Sequence, residues 1–267
     1  MTIPEKLFLS GYKKEISEVY EKLKEKNDSD LITLALFLHK EMKKENSFYK
    51  HFINYLPTDF SCFPIFYTNE QKNILKNSQL EEKIKVWEDQ LLEEHIMIKE
   101  EIGLDITLDE YKKCRHLSWS RDFNIYKDGI SFGTMIPLAD LFNFHPEKIN
   151  VEWYKQDENF YIKASCGIKT GEEIFVSYGD RANLLYLLNY GFTIDNNPNL
   201  ITYESDDLKL AGTVELKDAI VKFRKSNKPL IINRKQEIQS LDKFRKTVTR
   251  ILQNYPSLIE DDKKEHI

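Results

Sequence analysis

Cysteine is scarce in this chain of 267 residues, and the placing of the few cysteines argues against two kinds of site. Cys62, Cys114 and Cys166 are the only three, and none belongs to a Cys-x-x-Cys pair. An odd number at such wide spacing argues against a disulfide framework and against a structural zinc site. The six histidines also lack the His-x-x-x-His spacing of metal-binding helices. We therefore expect no metal in this protein.

Long apolar runs and phosphate-binding motifs are missing too. The longest apolar run, LITLALFL at 31–38, is too short to cross a bilayer. The net charge of −5 gives no sign of the basic patch that nucleic-acid-binding proteins carry. Without P-loop, GxGxxG or GxSxG motifs, phosphate cradles and serine-hydrolase chemistry have no support. We expect a monomer in the cytoplasm or nucleus that binds neither membranes nor nucleic acid.

The first half of the sequence has the apolar periodicity of amphipathic helices. Thr107 and Glu110 have the spacing of a capping box, which marks the start of one of them. The predicted helices are Tyr12–Glu25, a helix capped by Asp30 that ends near Lys44, Leu80–Glu100, and a helix from Thr107 to about Arg121.

The middle of the chain changes to the period of two that is typical of strands. Asp180 as N-cap and Gly191 after the last turn then predict a short helix at Arg181–Asn189, and a further helix is expected at Lys235–Asn254. Helices, short strands and again helices in this order favour an α+β fold. The predicted strands are Asn124–Tyr126, Val151–Lys155 and Phe160–Ala164, which form a hairpin, and Glu173–Tyr178.

Two segments hold the candidates for chemistry. In IPLADLFNFHP at 136–146, apolar residues flank Asp140, Asn143 and His145. Short polar side chains inside an apolar run need partners, which are either backbone groups or a ligand. In EIFVSYGDRANLLYLLNYGF at 173–192, Tyr178 ends the predicted strand against a tight turn. Its ring either packs at a strand end or presents the hydroxyl to a ligand.

Together these two segments resemble the C-terminal motifs of SET-domain protein methyltransferases. ADLFNF at 139–144 is similar to the family's "ADxxNH" segment, and GEEIFVSYG at 171–179 is similar to its "GE-x-[IV]" step and terminal tyrosine. SYG followed by RAN at 181–183 and YGF at 190–192 resembles the group of Rubisco large-subunit and actin-histidine methyltransferases. NSFYKHFINYLP at 46–57 and the segment 239–262 resemble the helical insertion and the C-terminal helical domain of that group.

The resemblance implies a SET domain over 1–200 with a helical insertion at about 31–121. Residues 201–267 would form a C-terminal helical region that resembles the substrate-binding domain of the Rubisco enzyme. In the SET fold, the segments around Asn143 and Tyr178 pass each other in a knot-like arrangement and face one channel. The implied activity is transfer of a methyl group from S-adenosylmethionine to a lysine, or alternatively a histidine, of a protein substrate.

Five residues match cofactor-binding positions of the family. By resemblance, Arg121 binds the carboxylate of S-adenosylmethionine, and Asn143 binds its methionine part. Asp140 lines the transfer channel mainly through its backbone carbonyl. Phe144 stands where the family has histidine, with His145 displaced by one position, and meets the adenine through its backbone. Phe192 matches an aromatic residue that packs on the adenine.

Four further residues match the acceptor side. Tyr178 is implied as the catalytic residue, because its hydroxyl would orient the accepting nitrogen and hold the methyl group through weak C–H···O contacts. Tyr190 matches a residue of the acceptor pocket, Trp153 is expected in the pocket wall, and Arg181 is expected to contact the substrate.

One part of the family pattern is missing. Members begin with a glycine-rich strand segment that wraps the cofactor, whereas this sequence starts at TIPEKL, 2–7, and has Gly11 as its only glycine within residues 1–100. Two explanations are open: the sequence is an incomplete version of the gene product, or cofactor binding is weakened or lost. The competing hypothesis to an active enzyme is therefore a non-catalytic, SET-derived module that binds a protein partner, and a third, weaker one is a helical scaffold with a small sheet.

Overall fold

The computed structural model describes residues 1–76, 78–195 and 197, and a pair of two-residue strands at Glu204–Ser205 and Leu208–Lys209. The predicted helix Lys235–Asn254 lies outside the described residues, as does the rest of the region 201–267 apart from that strand pair. No helix in the described part of the chain has the length and apolar character that a bilayer crossing needs.

Helices fill most of the chain before residue 121. The face of the long helix that the sequence predicted, with Ile84, Trp87, Leu91 and Ile98, is buried. A π-helical turn extends this helix over Ile98–Ile102. The helices are α1 Ser17–Leu23, α2 Ser29–Lys43, α3 Lys50–Ile53, α4 Asn69–Ile74, α5 Gln79–Met97, α6 Leu108–Ser120 and α7 Asn183–Tyr190.

Six strands form two antiparallel sheets of three strands each. The strand order is β1-β6-β5 in one sheet and β2-β4-β3 in the other. The predicted hairpin is confirmed as the β5–β6 pair. Helices combined with small antiparallel sheets confirm the α+β class. The strands are β1 Thr2–Pro4, β2 Leu9–Ser10, β3 Asp122–Lys127, β4 Ile130–Met135, β5 Val151–Gln156 and β6 Asn159–Ala164.

Two hydrophobic cores hold these elements together. The larger core packs α2 against α5 and α6, and the smaller one fills the space between the two sheets. In the smaller core, the ring of Phe123 meets Phe160 edge-on at 5.1 Å between centroids, so β3 of one sheet is fixed to β6 of the other. The end of α6 and the start of β3 therefore lie where the two cores meet.

The helical core contains a buried ion pair that orients α6. Arg115 is fully buried, and its Nε donates to Glu94 on α5 at 3.1 Å. Its Nη2 donates to Asp28, which precedes α2, at 3.0 Å. Tyr111 adds a hydroxyl bond to Glu94 at 2.5 Å. Breaking a buried pair from one side typically destabilises a protein by about 3–5 kcal/mol, so this cluster fixes α6 relative to α2 and α5.

The predicted strand Glu173–Tyr178 is wrong except at one residue. Only Phe175 forms a bridge within the described residues, in parallel with Asn143. The side chain of Asn150 replaces a neighbouring strand: its Oδ1 accepts from the N–H of Phe175 at 2.9 Å, and its Nδ2 donates to the carbonyl of Glu173 at 2.9 Å. The segment is extended and apolar, but its hydrogen bonds are divided between the Asn150 side chain and two isolated backbone contacts, with Asn143 and Asn150.

Three predicted helix starts are also wrong, and for one of them a tertiary contact takes the predicted capping group. Asp30 lies within α2, and its carboxylate accepts from the N–H of Gly133 on β4 at 2.6 Å. Helix α7 begins at Asn183 after Ala182, because the hydroxyl of Tyr186 donates to the carbonyl of Gly179 at 2.5 Å and holds the preceding turn open. Helix α1 begins at Ser17, since the chain first turns after β2.

The capping box and the glycine after α7 are confirmed. The N–H of Glu110 donates to the Thr107 hydroxyl at 3.2 Å, and the N–H of Thr107 donates to the Glu110 carboxylate at 3.1 Å. Gly191 has a φ of 77° in the left-handed region, as expected for a helix C-terminus. A Cβ at this position would lie 2.8 Å from the sulfur of Cys62, so the end of α7 packs closely on the loop before Pro64.

We expect Gly191→Ala to lower the free energy of unfolding by more than Gly103→Ala does. Both glycines end helices with positive φ, at 77° and 73°, but a Cβ at Gly103 would meet nothing within 4 Å. The backbone strain of about 1 kcal/mol is therefore common to both variants, and the clash with Cys62 is added only at Gly191. Chemical denaturation followed by circular dichroism measures the difference. Equal losses would show that the Cys62 loop moves freely away.

Candidate active site

A cavity of about 400 Å³, the site cavity, lies where the two cores meet. Its walls come from parts of the chain that are distant in sequence: the junction of α6 with β3, the turn at 139–142, Trp153 on β5, the segment 176–179, and the end of α7. The residues Trp119, Arg121, Asp122, Phe123, Asp140, Trp153, Tyr178, Arg181 and Tyr190 are among those that line it.

Two segments that are far apart in sequence are joined at this cavity by backbone and hydroxyl bonds. The Tyr178 hydroxyl donates to the carbonyl of Phe142 at 2.8 Å. The N–H of Val176 donates to the carbonyl of Asn143 at 3.0 Å, beside the bridge between Asn143 and Phe175. The turn that carries Asp140 and the segment that ends in Tyr178 therefore hold each other in place.

Arg121 and Asp140 form an ion pair in the cavity wall. Nη1 of Arg121 donates to both the backbone carbonyl and Oδ2 of Asp140, at 3.1 and 3.2 Å. Burial raises the pKa of Asp140 to about 6, although the Arg121 guanidinium acts in the opposite direction. The other carboxylate oxygen, Oδ1, is buried without a hydrogen-bond partner among the described residues. Nε and Nη2 of Arg121 likewise donate to no described residue.

A second cluster of polar residues lines the cavity beside this ion pair. It consists of Asp122, Arg181 and Tyr190. Nε of Arg181 donates to the carbonyl of Tyr178 at 2.9 Å, which holds the guanidinium in position. Burial raises the pKa of Asp122 to about 7, with a further contribution from the Asp30 carboxylate. The ring centroid of Tyr190 lies 4.6 Å from that of Tyr178, so this cluster is in contact with the segment that ends in Tyr178.

A solved structure with a similar arrangement of elements decides the fold. The chain matches the crystal structure of the SET domain of LSMT bound to lysine and AdoHcy with a TM-score of 0.62. The match has 21% sequence identity and covers 73% of this chain and 47% of that chain. The chain folds as a SET domain.

Curated relatives of this SET domain belong to the group that the motifs resemble. The ribulose-1,5 bisphosphate carboxylase/oxygenase large subunit N-methyltransferase of Pisum sativum is 26% identical, over 64% of this chain and 38% of that protein. The actin-histidine N-methyltransferase of Gallus gallus is 25% identical, over 62% of this chain and 30% of that protein. The resemblance inferred from the sequence is therefore confirmed. The chain spans about a third of the length of these two relatives, and no family model matches it.

Six of the nine predicted site residues line the site cavity of this SET domain. They are Arg121, Asp140, Trp153, Tyr178, Arg181 and Tyr190. Trp153 stacks on Phe160 at 5.2 Å between ring centroids and meets Phe123 edge-on, so its indole forms part of the wall.

The other three predicted residues lie next to the cavity and not in its lining. Asn143 is exposed, and its Nδ2 donates to the Glu173 carboxylate at 2.6 Å. The ring of Phe144 stacks on Tyr178 at 5.4 Å between centroids, with an interplanar angle of 20°. Phe192 stacks on the opposite part of the same cluster, 5.4 Å from the ring of Tyr186. In this SET domain, Phe144 and Phe192 thus pack in the aromatic cluster that contains Tyr178.

The lining residues that sequence reasoning did not predict include Trp119, Asp122 and Phe123. They flank Arg121 in the stretch SWSRDF, where the chain passes from α6 to β3. At a helix-to-strand junction, side chains point in several directions within a short length of chain. Some neighbours of a predicted site arginine are therefore expected to face the same cavity. That junction was the signal from which they could have been found.

We expect Asp140→Asn to remove a pH-dependent loss of stability. The folded state holds the Asp140 proton more tightly than the unfolded state, so its contribution to stability is complete below pH 3.8 and is lost as the pH rises through about 6. The loss amounts to about 3 kcal/mol at neutral pH. The free energy of unfolding, measured from pH 4 to 8, should therefore fall less steeply with rising pH in the variant than in the wild type. Asp157→Asn, which removes an exposed carboxylate, is the control, and parallel curves for wild type and Asp140→Asn would contradict the assignment.

Proposed function

We propose that this SET domain transfers a methyl group from S-adenosylmethionine to a lysine side chain of another protein. The observation that carries the proposal is the meeting of Arg121, Asp140, Tyr178 and Tyr190 at one cavity, although they are spread over four segments of the chain. Each of them occupies a position that the family motifs predict from the sequence. The solved SET domain with the same fold was bound to lysine and AdoHcy, and AdoHcy is what remains after S-adenosylmethionine gives up its methyl group.

The residues of the cavity fit the charged part of such a cofactor. Only Nη1 of Arg121 donates to described residues, so the N–H groups of Nε and Nη2 are available to a carboxylate. Asp140 offers a buried Oδ1 that has no partner among the described residues, and such an atom can accept from an amino group. When bound, S-adenosylmethionine supplies a methyl group on a positively charged sulfur. We assign its amino-acid part to Arg121 and Asp140.

Tyr178 is suited to the acceptor because of the way its proton is held. The hydroxyl donates to the Phe142 carbonyl, which leaves the lone pairs of its oxygen free to accept from other groups. Burial raises the pKa of Tyr178 to about 12, so the hydroxyl stays neutral at physiological pH. An oxygen in this state can accept from the N–H of an incoming amine and align it for an in-line displacement, and most of the catalysis of such a step comes from alignment.

The acceptor side is lined mainly by aromatic rings. Trp153, Tyr178 and Tyr190 would contact the aliphatic stem of a lysine, and Arg181 would fix the Tyr178 segment and meet the substrate backbone. A lysine nitrogen must be neutral to attack, and its solution pKa of about 10.4 falls on entry into a partly apolar site. Histidine remains the alternative acceptor, since one relative is an actin-histidine N-methyltransferase.

The finer features of the family belong to the same proposal. We assign the helices within 31–121 to the helical insertion, the crossing of 142–144 with 175–178 to the knot-like arrangement, and 201–267 to the C-terminal helical region. Asn143 would bind the methionine part of the cofactor after its side chain leaves Glu173, a small change because both side chains are exposed. Phe144 and Phe192 would meet the adenine beside the aromatic cluster.

We expect Tyr178→Phe to abolish most methyl transfer while S-adenosylhomocysteine affinity changes little. The variant removes one oxygen and almost no volume, and the lost contact matters chiefly in the transition state. Loss of the bond to Phe142 should lower the free energy of unfolding by about 1 kcal/mol. Transfer from radiolabelled S-adenosylmethionine to lysate proteins, calorimetry and thermal unfolding measure the three quantities.

Tyr126→Phe is the matched control for this prediction. It removes a hydroxyl from an exposed tyrosine on β3 and should leave methyl transfer unchanged. Undiminished transfer in Tyr178→Phe would contradict the role given to the tyrosine. No transfer by the wild type, together with binding of a protein partner, would instead favour the non-catalytic binding module.

A further inference from the structure

Asp122 is a carboxylate in the cavity wall for which the structure provides no cation. It is the first residue of β3, directly after the helix-to-strand junction, and it lines the site cavity. No ion pair joins it to any residue in the described part of the chain. Arg121, its neighbour in sequence, is paired with Asp140 instead. A largely buried carboxylate without a cationic partner is unfavourable unless a function requires it.

The charged groups around Asp122 do not neutralise it. From α2, the carboxylate of Asp30 acts on Asp122 with the same sign, and Asp30 itself is bound to the N–H of Gly133. From α6, Arg115 is engaged by Glu94 and Asp28. From the segment before α7, Arg181 favours the anionic form, but its Nε donates to the Tyr178 carbonyl and no ion pair joins it to Asp122 among the described residues.

The position of Asp122 distinguishes it from the groups assigned to the cofactor. Arg121 is the charged side chain that acts on Asp140, and it also acts on Tyr178 together with Tyr190 and Asp140. Asp122 acts electrostatically on Tyr190, which is assigned to the acceptor pocket, as does Arg181. The cavity thus has an ion-paired part around Arg121 and Asp140, and a part beside Tyr190 where Asp122 and Arg181 lie without an ion pair between them.

We propose that Asp122 receives the ammonium group of the substrate and makes the site selective for a cationic, lysine-type acceptor. This inference rests on the proposed function and names the chemistry that the same cavity recognises. A charge-assisted bond from an ammonium to this carboxylate would offset the cost of burying both groups. A neutral imidazole brings no such charge. The contact belongs to capture of the substrate, before the nitrogen loses its proton, so its loss should raise KM more than it lowers kcat.

The first experiment measures binding without methyl transfer. The probes are Nα-acetyl-lysine methylamide and its neutral analogue Nα-acetyl-norleucine methylamide, titrated by NMR into the full chain at pH 8, with and without S-adenosylhomocysteine. We expect the lysine probe to bind the wild type, and Asp122→Asn to weaken it at least tenfold, with little change for the norleucine probe. Asp157→Asn, which removes an exposed carboxylate from the β5–β6 turn, should leave both affinities unchanged.

The pH dependence provides a second measurement. Burial raises the pKa of Asp122 to about 7, so affinity for the lysine probe should fall as the pH drops below that value in the wild type and stay level in Asp122→Asn. Asp122→Ala checks that any loss of affinity does not come from the amide group that Asp122→Asn introduces. Thermal unfolding checks that both variants are folded. Failure of the wild type to bind the lysine probe, or equal binding by wild type and variant, would overturn the inference.

The outcomes separate this inference from the proposed function. If the wild type binds the lysine probe through Asp122 but transfers no methyl group, the inference stands and the enzymatic function fails. If the wild type methylates lysine and Asp122→Asn does so with the same KM, the function stands and the inference fails.

Discussion

The hydrogen bond from the Tyr178 hydroxyl to the Phe142 carbonyl is the constraint on which the rest of the site depends. It joins two segments that have no regular ladder between them beyond one bridge, at Asn143 and Phe175. By using the hydroxyl proton, it also decides that the tyrosine oxygen presents lone pairs to the cavity. Together with the bond from the Val176 N–H to the Asn143 carbonyl, it holds the turn that carries Asp140, and it alone sets the chemical character of the tyrosine oxygen.

Charge in the cavity is arranged so that only part of it is neutralised by the protein. Arg121 and Asp140 form an ion pair, whereas Asp122 has a neighbouring carboxylate and no ion pair with the nearby Arg181 among the described residues. Such an arrangement lowers stability at neutral pH, because both carboxyl groups would bind protons more readily when folded than when unfolded. Sites that recognise charged ligands commonly carry unfavourable charges of this kind.

What the sequence predicted correctly was mainly local. The capping box at Thr107 and the β5–β6 hairpin were found because the interacting groups are close in the chain. The strand at 173–178 was wrong because the Asn150 side chain and two isolated backbone contacts take the place of a neighbouring strand. Asp30 was wrong as a cap because β4 binds its carboxylate. The site residues were found only through family motifs, since no local pattern brings Arg121 near Tyr178. Asp122 has no family motif, and the only sequence signal for it is its place beside Arg121 at the helix-to-strand junction.

The pairing of the strands has a consequence for synthesis of the chain. β1 pairs with β6, and β2 pairs with β4, so each of these two strands is made well before its partner, which is the last strand of its own sheet in chain order. At a synthesis rate of about 5–20 residues per second, these apolar strands would wait for seconds without partners. Neither sheet can close before β4 and β6 are made, and contacts between such distant segments slow folding. The helices of the first half, whose contacts are more local, can pack during that interval. The site cavity would therefore be completed late in folding.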